Sequence, residues 1–194
     1  MDNLYRSEDL IRALNHHRHD WMNDLQVLFG YIQLNKQDKL KAYIEKLSDK
    51  LYRESLVSKL GVPELVAYLV LFRTKQRWME LTVWPEKDIN LGAFGEAGLT
   101  TADGIMKIVN AYDEAAGYND ENANVLVVTL DLLGDERNGR TLIINFEYTG
   151  VYNSDLLLQA IRGTMELISS LDLGSASCDF QEGAADIELR LRLT

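Results

Sequence analysis

Apolar residues recur at helical spacing through the first sixty positions. Leu14, Trp21, Leu25, Leu28 and Ile32 fall seven, four, three and four residues apart, and Leu40, Ile44, Leu47 and Leu51 repeat the pattern after the polar break Asn35-Lys36-Gln37-Asp38. Such spacing marks two helices with a narrow apolar seam, and so short a break makes them antiparallel neighbours. Two helices alone bury too little surface to be stable. The seam, widened by Met22 and Phe29, calls for partners, and the same hairpin from a second copy supplies them as a dimeric four-helix bundle. Gly61-Val62-Pro63 punctuates the chain, with Pro63 placed to open a helix to about Thr74. Beyond it the pattern predicts a strand over Trp78 to Trp84 and a helix over Thr101 to Ala116 with a threonine N-cap. Strands follow over Val125 to Leu132 and Arg140 to Tyr148, then a helix capped by Ser154 that runs to about Leu171. Strands near Ser177 to Gln181 and Asp186 to Leu193 complete the set. The fold class is α+β, with a helical hairpin over residues 1–60 and an α/β layer over residues 61–194, one sheet with helices on one face.

Charge sharpens the division. Of the net −10 carried by 194 residues, residues 1–60 contribute +1 and residues 61–194 contribute −11. An acidic surface without a basic patch repels phosphate backbones, so no nucleic-acid partner is expected. The longest apolar runs are too short to span a bilayer, and no charged-then-apolar leader opens the chain, so no membrane partner is expected. The one cysteine, Cys178, forms no internal disulfide and suits a reducing cytoplasm; it is read as a small core residue. Trp78 and Trp84 are read as packing the sheet, and Lys36 and Lys39 as surface charge.

All three histidines lie within Asn15-His16-His17-Arg18-His19-Asp20-Trp21-Met22-Asn23. Helical spacing gathers Asn15, His16, His19, Asn23, Gln26 and Gly30 into a polar stripe beside the seam. Imidazole is neutral and nucleophilic near pH 7, amides hydrogen-bond phosphoryl oxygens, and Asp20 stands ready to hold a tautomer. On spacing alone, a histidine on such a stripe is ordinary solvated surface. His16 and His19 have the spacing of a metal pair, but no Glu-x-x-His or His-Glu-x-x-His pattern accompanies them.

The run from Arg18 to Leu34, with Asp38-Lys39-Leu40 and Tyr43-Ile44, resembles the phosphoacceptor hairpin of the sporulation initiation phosphotransferase B family. Citrate- and dicarboxylate-type sensor kinases carry a similar hairpin. The close match covers about residues 14–51. The resemblance implies a phosphorelay phosphotransferase of sporulation-type signalling that works as a homodimer. His19 would take a phosphoryl group from one response-regulator aspartate and pass it to another, with Arg18, Asp20 and Asn23 as the remaining site residues. It implies receiver domains as partners and no cofactor of its own, the Mg2+ arriving with the receiver.

Sensor kinases of that type follow the hairpin with an ATP-binding domain. Here Asn110-Ala111-Tyr112-Asp113-Glu114-Ala115 resembles its magnesium-holding helix, but alignment on Glu114-Ala115 puts Ala111 at the asparagine position. In Phe146-Glu147-Tyr148-Thr149-Gly150-Val151-Tyr152, tyrosines stand where that family has its adenine-reading aspartate and second glycine. Gly174-Ser175-Ala176-Ser177 lacks a Gly-x-Gly lid. The expectation is a degenerate histidine-kinase ATPase fold without nucleotide chemistry. The competing functions are an ATP-dependent sensor-type kinase and a non-catalytic dimeric adaptor for response regulators.

Overall fold

The computed structural model describes residues 7–72, 74, 78–118, 123–135, 139–170 and 174–193. Helix α1 spans Ser7–Gln33 and α2 spans Gln37–Ser58. The turn between them is set by Asn35, which adopts the left-handed conformation at φ 49°. Asn tolerates this conformation, and it lets Lys36 N–H donate back to Tyr31 O at 2.9 Å while Asn35 N–H reaches Ile32 O at 3.0 Å. The helix is closed and the chain reversed by one residue.

Helix α3 spans Pro63–Phe72, with proline at its first position as the sequence suggests. The rest is a five-stranded sheet of order β1-β2-β3-β5-β4, made of β1 (Met79–Pro85), β2 (Asn124–Asp135), β3 (Gly139–Thr149), β4 (Gly174–Gln181) and β5 (Ala184–Leu193). Among the described residues only the β1–β2 pair is parallel, and the crossover it requires includes a short 3-10 turn, Leu91–Phe94, and helix α4, Gly95–Ala115. Helix α5, Ser154–Ser170, connects β3 to β4.

Strand side chains alternate, as they must when one face of a sheet is covered. Leu126, Val128 and Leu130 on β2, Leu142, Ile144, Phe146 and Tyr148 on β3, and Ile187, Leu189 and Leu191 on β5 point into the core. Ile105, Ile108, Val109 and Tyr112 of α4 and Leu157 and Ile161 of α5 cover them. Each such side chain contributes about 1.5–3 kcal/mol through burial. Buried Asn124 ties three elements together: Nδ2 donates to Trp78 O at 2.8 Å and Gly117 O at 2.7 Å, and Oδ1 accepts from Val151 N–H at 2.9 Å.

The structure corrects four readings of the sequence. Helix α4 begins at Gly95, so Thr101 lies inside it and bonds its own helix, Oγ1 donating to Ala97 O at 2.8 Å. Helix α5 is capped one residue earlier than expected, by Asn153 Oδ1 accepting from Leu156 N–H at 3.0 Å. Cys178 is exposed rather than buried, because β4 is an edge strand. Trp78 is 60% exposed, in edge contact with Tyr118, and Trp84 is 40% exposed beneath the Arg53 guanidinium at 4.7 Å.

Candidate functional site

The hairpin carries two unlike surfaces. Its apolar seam is open in the protomer: Leu14, Trp21, Met22, Leu25, Phe29, Ile32, Ile44 and Leu51 are all among the exposed large hydrophobic residues. A stripe of this extent on a helix pair is a surface built to be covered.

Beside it runs the polar stripe. His19 is 74% exposed, and its Nδ1 lies 3.2 Å from Asn23 Nδ2 and 4.0 Å from Asp20 Oδ1. The same Asp20 oxygen lies 3.5 Å from His16 Nδ1. The helix therefore brings His19, Asp20 and Asn23 together, with His16 joined to them through Asp20. Arg18 is not on His19; its Nη2 donates to Asn15 Oδ1 at 3.1 Å. His17 faces elsewhere, lining a cavity of about 170 Å³ with Glu54, Val57, Leu69, Val70, Leu81 and Val83, where the base of the hairpin meets α3 and β1. Among the described residues no group of three or more His, Cys, Asp or Glu is placed to hold a metal ion, and none of their helices is long and apolar enough to cross a membrane.

Beside the stripe, Asp24 is clamped from α2. Tyr43 Oη donates to Asp24 Oδ1 at 2.6 Å, and Lys50 Nζ stands 3.7 Å from Oδ2. The hydrogen bond to the carboxylate, aided by burial, pushes the Tyr43 phenol up to about 12. Tyr31 meets the Tyr43 ring edge-on at 6.0 Å. This clamp fixes the sliding register of α2 along α1, and so what lies opposite His19. The sequence reading passed over it: Tyr43 stands among the residues of the resemblance, but its pairing with Asp24 crosses nineteen positions.

Within the α/β layer, Tyr112 and Tyr148 stack with ring centroids 5.4 Å apart, and Tyr152 meets Tyr148 at 5.6 Å. Their hydroxyls are spoken for: Tyr112 donates to Ala185 O at 2.9 Å, Tyr148 to Val151 O at 2.8 Å, and Tyr152 to Gln181 O at 2.8 Å. Asn110 Oδ1 accepts from Tyr68 Oη at 2.8 Å. Ala111 is buried.

The hairpin thus presents an exposed imidazole flanked by a carboxylate and an amide, and it is joined to an α/β layer. Residues 1–60 match the family described as the sensor kinase SpoOB-type, alpha-helical domain. Over 157 residues, 80% of this chain and 78% of the relative, the sequence is 29% identical to sporulation initiation phosphotransferase B of Bacillus subtilis (strain 168). The two matches agree on one family, that of sporulation initiation phosphotransferase B, which the run from Arg18 to Leu34 already resembles. Among solved structures, the histidine kinase AdeS of Acinetobacter baumannii covers 91% of this chain and 98% of its own at 12% identity and a TM-score of 0.45. The blue-light activated histidine kinase of Erythrobacter litoralis covers 78% and 50% at 10% identity and a TM-score of 0.49.

Proposed function

We propose that the protein is a phosphorelay phosphotransferase in which His19 accepts a phosphoryl group from the aspartyl phosphate of one response regulator and hands it to the aspartate of another. The observation that carries this reading is the exposed His19 ring with Asp20 and Asn23 both within reach of Nδ1. Attack by Nε2 needs the tautomer with hydrogen on Nδ1, which Asp20, an acceptor only, favours when it turns onto the ring, whereas the Asn23 amide serves either form. With hydrogen on Nδ1, the lone pair of Nε2 points outward and attacks phosphorus. The Nε2–P bond forms, the bond from phosphorus to the aspartyl oxygen breaks, and the donor aspartate leaves as a carboxylate. The Nδ1 proton stays on the ring, and Asp20 offsets the positive charge the ring acquires. Delivery to the second receiver is the same displacement in reverse. Such a transfer asks the protein mainly for in-line placement and charge neutralisation, with Mg2+ supplied by the receiver. Arg18, exposed one residue away, is free of the imidazole and available to phosphoryl oxygens.

The open seam supports a homodimer through the hairpins, and the reading places the protein with its receivers in the cytoplasm. The stacked tyrosines argue against the kinase alternative, since their rings and hydroxyls are engaged with protein. The test is incubation with a phosphorylated receiver and, separately, with Mg-ATP. Acid-labile phosphate is expected from the receiver alone. It should be lost in His19→Ala, which remains folded because the side chain is mostly solvated and its removal changes stability by no more than about 0.5 kcal/mol. Label persisting in that variant, or appearing from ATP, overturns the reading.

A further inference from the structure

On one turn of α1, a single carboxylate oxygen is claimed by two imidazoles. Asp20 Oδ1 lies 3.5 Å from His16 Nδ1 and 4.0 Å from His19 Nδ1. Side chains four apart on a helix face each other, while adjacent ones diverge. His16 is thus the natural partner of Asp20, and Asn23 of His19, the contact between His19 and Asp20 being the lateral one that competes with both. The two partners of His19 Nδ1 differ in what they enforce. The Asn23 amide presents Nδ2 as a donor or Oδ1 as an acceptor, so it serves an Nδ1 that is bare or protonated. Asp20 accepts only, so it selects the Nδ1–H form, the one that leaves Nε2 free to attack.

We propose that His16 is a positioning residue that restrains His19: by holding Asp20 through the shared oxygen, it leaves the tautomer of His19 to the indifferent amide of Asn23. The inference rests on His19 as the phosphoacceptor. It requires a proton on His16 Nδ1, which the neutral Nδ1–H ring and the imidazolium both carry and the Nε2–H tautomer does not. Release of His16 swings Asp20 onto His19 and enriches the reactive tautomer.

The experiment is imidazole 15N NMR on the full chain, with phosphate uptake from a phosphorylated receiver measured beside it. In His16→Ala, His19 is expected to shift toward Nδ1–H, and the initial uptake rate to rise about threefold with the receiver KM unchanged. His16→Gln, whose amide still donates to Asp20 across the same turn, should keep the tautomer balance of the wild type. In an Asp20→Ala background, replacing His16 should change neither quantity. An unchanged or opposite tautomer shift in His16→Ala, or a shift that survives in the Asp20→Ala background, overturns the proposal. If the wild-type chain takes up no phosphate at all, the relay reading fails, while the tautomer shift still decides what His16 does.

Discussion

Asp24 sits between two helices with most of its side chain out of water, and its oxygens are treated differently. Oδ1 receives the Tyr43 hydroxyl, whereas Oδ2 has no hydrogen bond and only Lys50 Nζ at 3.7 Å. Tyr43→Phe therefore removes the one hydrogen bond the carboxylate makes to α2, at a cost of about 1 kcal/mol at neutral pH. The pH dependence has a definite sign. The folded phenol titrates near 12, above the ordinary 10, so its contribution is complete below pH 10 and is lost as pH rises toward 12. Urea unfolding should show the gap between wild type and Tyr43→Phe closing across that window. Tyr148, which burial also pushes up to about 12, is common to both chains and cancels in the comparison. At this scale the stripe was legible in the sequence, because residues three and four apart on a helix must meet. The Tyr43–Asp24 clamp was not, since it depends on the register of one helix along another.

Between the elements, the feature that decides behaviour is the uncovered seam. Leu25 is 47% exposed in the protomer, and it lies in the middle of the apolar row. Placed against a partner hairpin, Leu25→Glu buries an unpaired carboxylate, a cost of about 3 kcal/mol or a hundredfold in dimer affinity. Sedimentation should show dimers at micromolar wild type and monomers for the variant. The circular dichroism of the β-sheet should be unchanged, because Leu25 is absent from the core beneath it. Periodicity made the hairpin, its reversal and the succession of helices and strands along the chain readable, but not the order of strands in the sheet. It misplaced helix starts, for physical reasons. Gly95 to Thr100 carry no apolar repeat, and the helix begins there with the chain packed so tightly on the preceding turn that a Cβ at Gly98 would run into Leu91 O. At α5, Asn153 and Ser154 are both good caps, and which one serves follows from where the chain leaves β3.

Over the whole molecule, charge and packing act in the same direction. The acidic residues 61–194 repel a polyphosphate at long range, though salt weakens this. Close in, Tyr112, Tyr148 and Tyr152 fill the space between α4 and the sheet with rings whose hydroxyls already bind backbone. Titration calorimetry with Mg-ATP is expected to show no saturable heat up to millimolar nucleotide; micromolar affinity would restore the kinase alternative. The sequence displayed these tyrosines, but their mutual stacking follows from strand pairing and helix placement that no local pattern encodes. Cys178 was misjudged for a similar reason: alternation identifies a strand's inner face without saying whether it lies at the sheet's edge. The closed tyrosine stack carries a thermodynamic corollary. A protein that binds a metabolite only when folded is held together in part by that metabolite's concentration. On the proposed reading, in which the tyrosine rings occupy that space and no nucleotide binds, the melting of this layer and its survival against proteolysis are expected to stay level as cellular energy charge rises and falls.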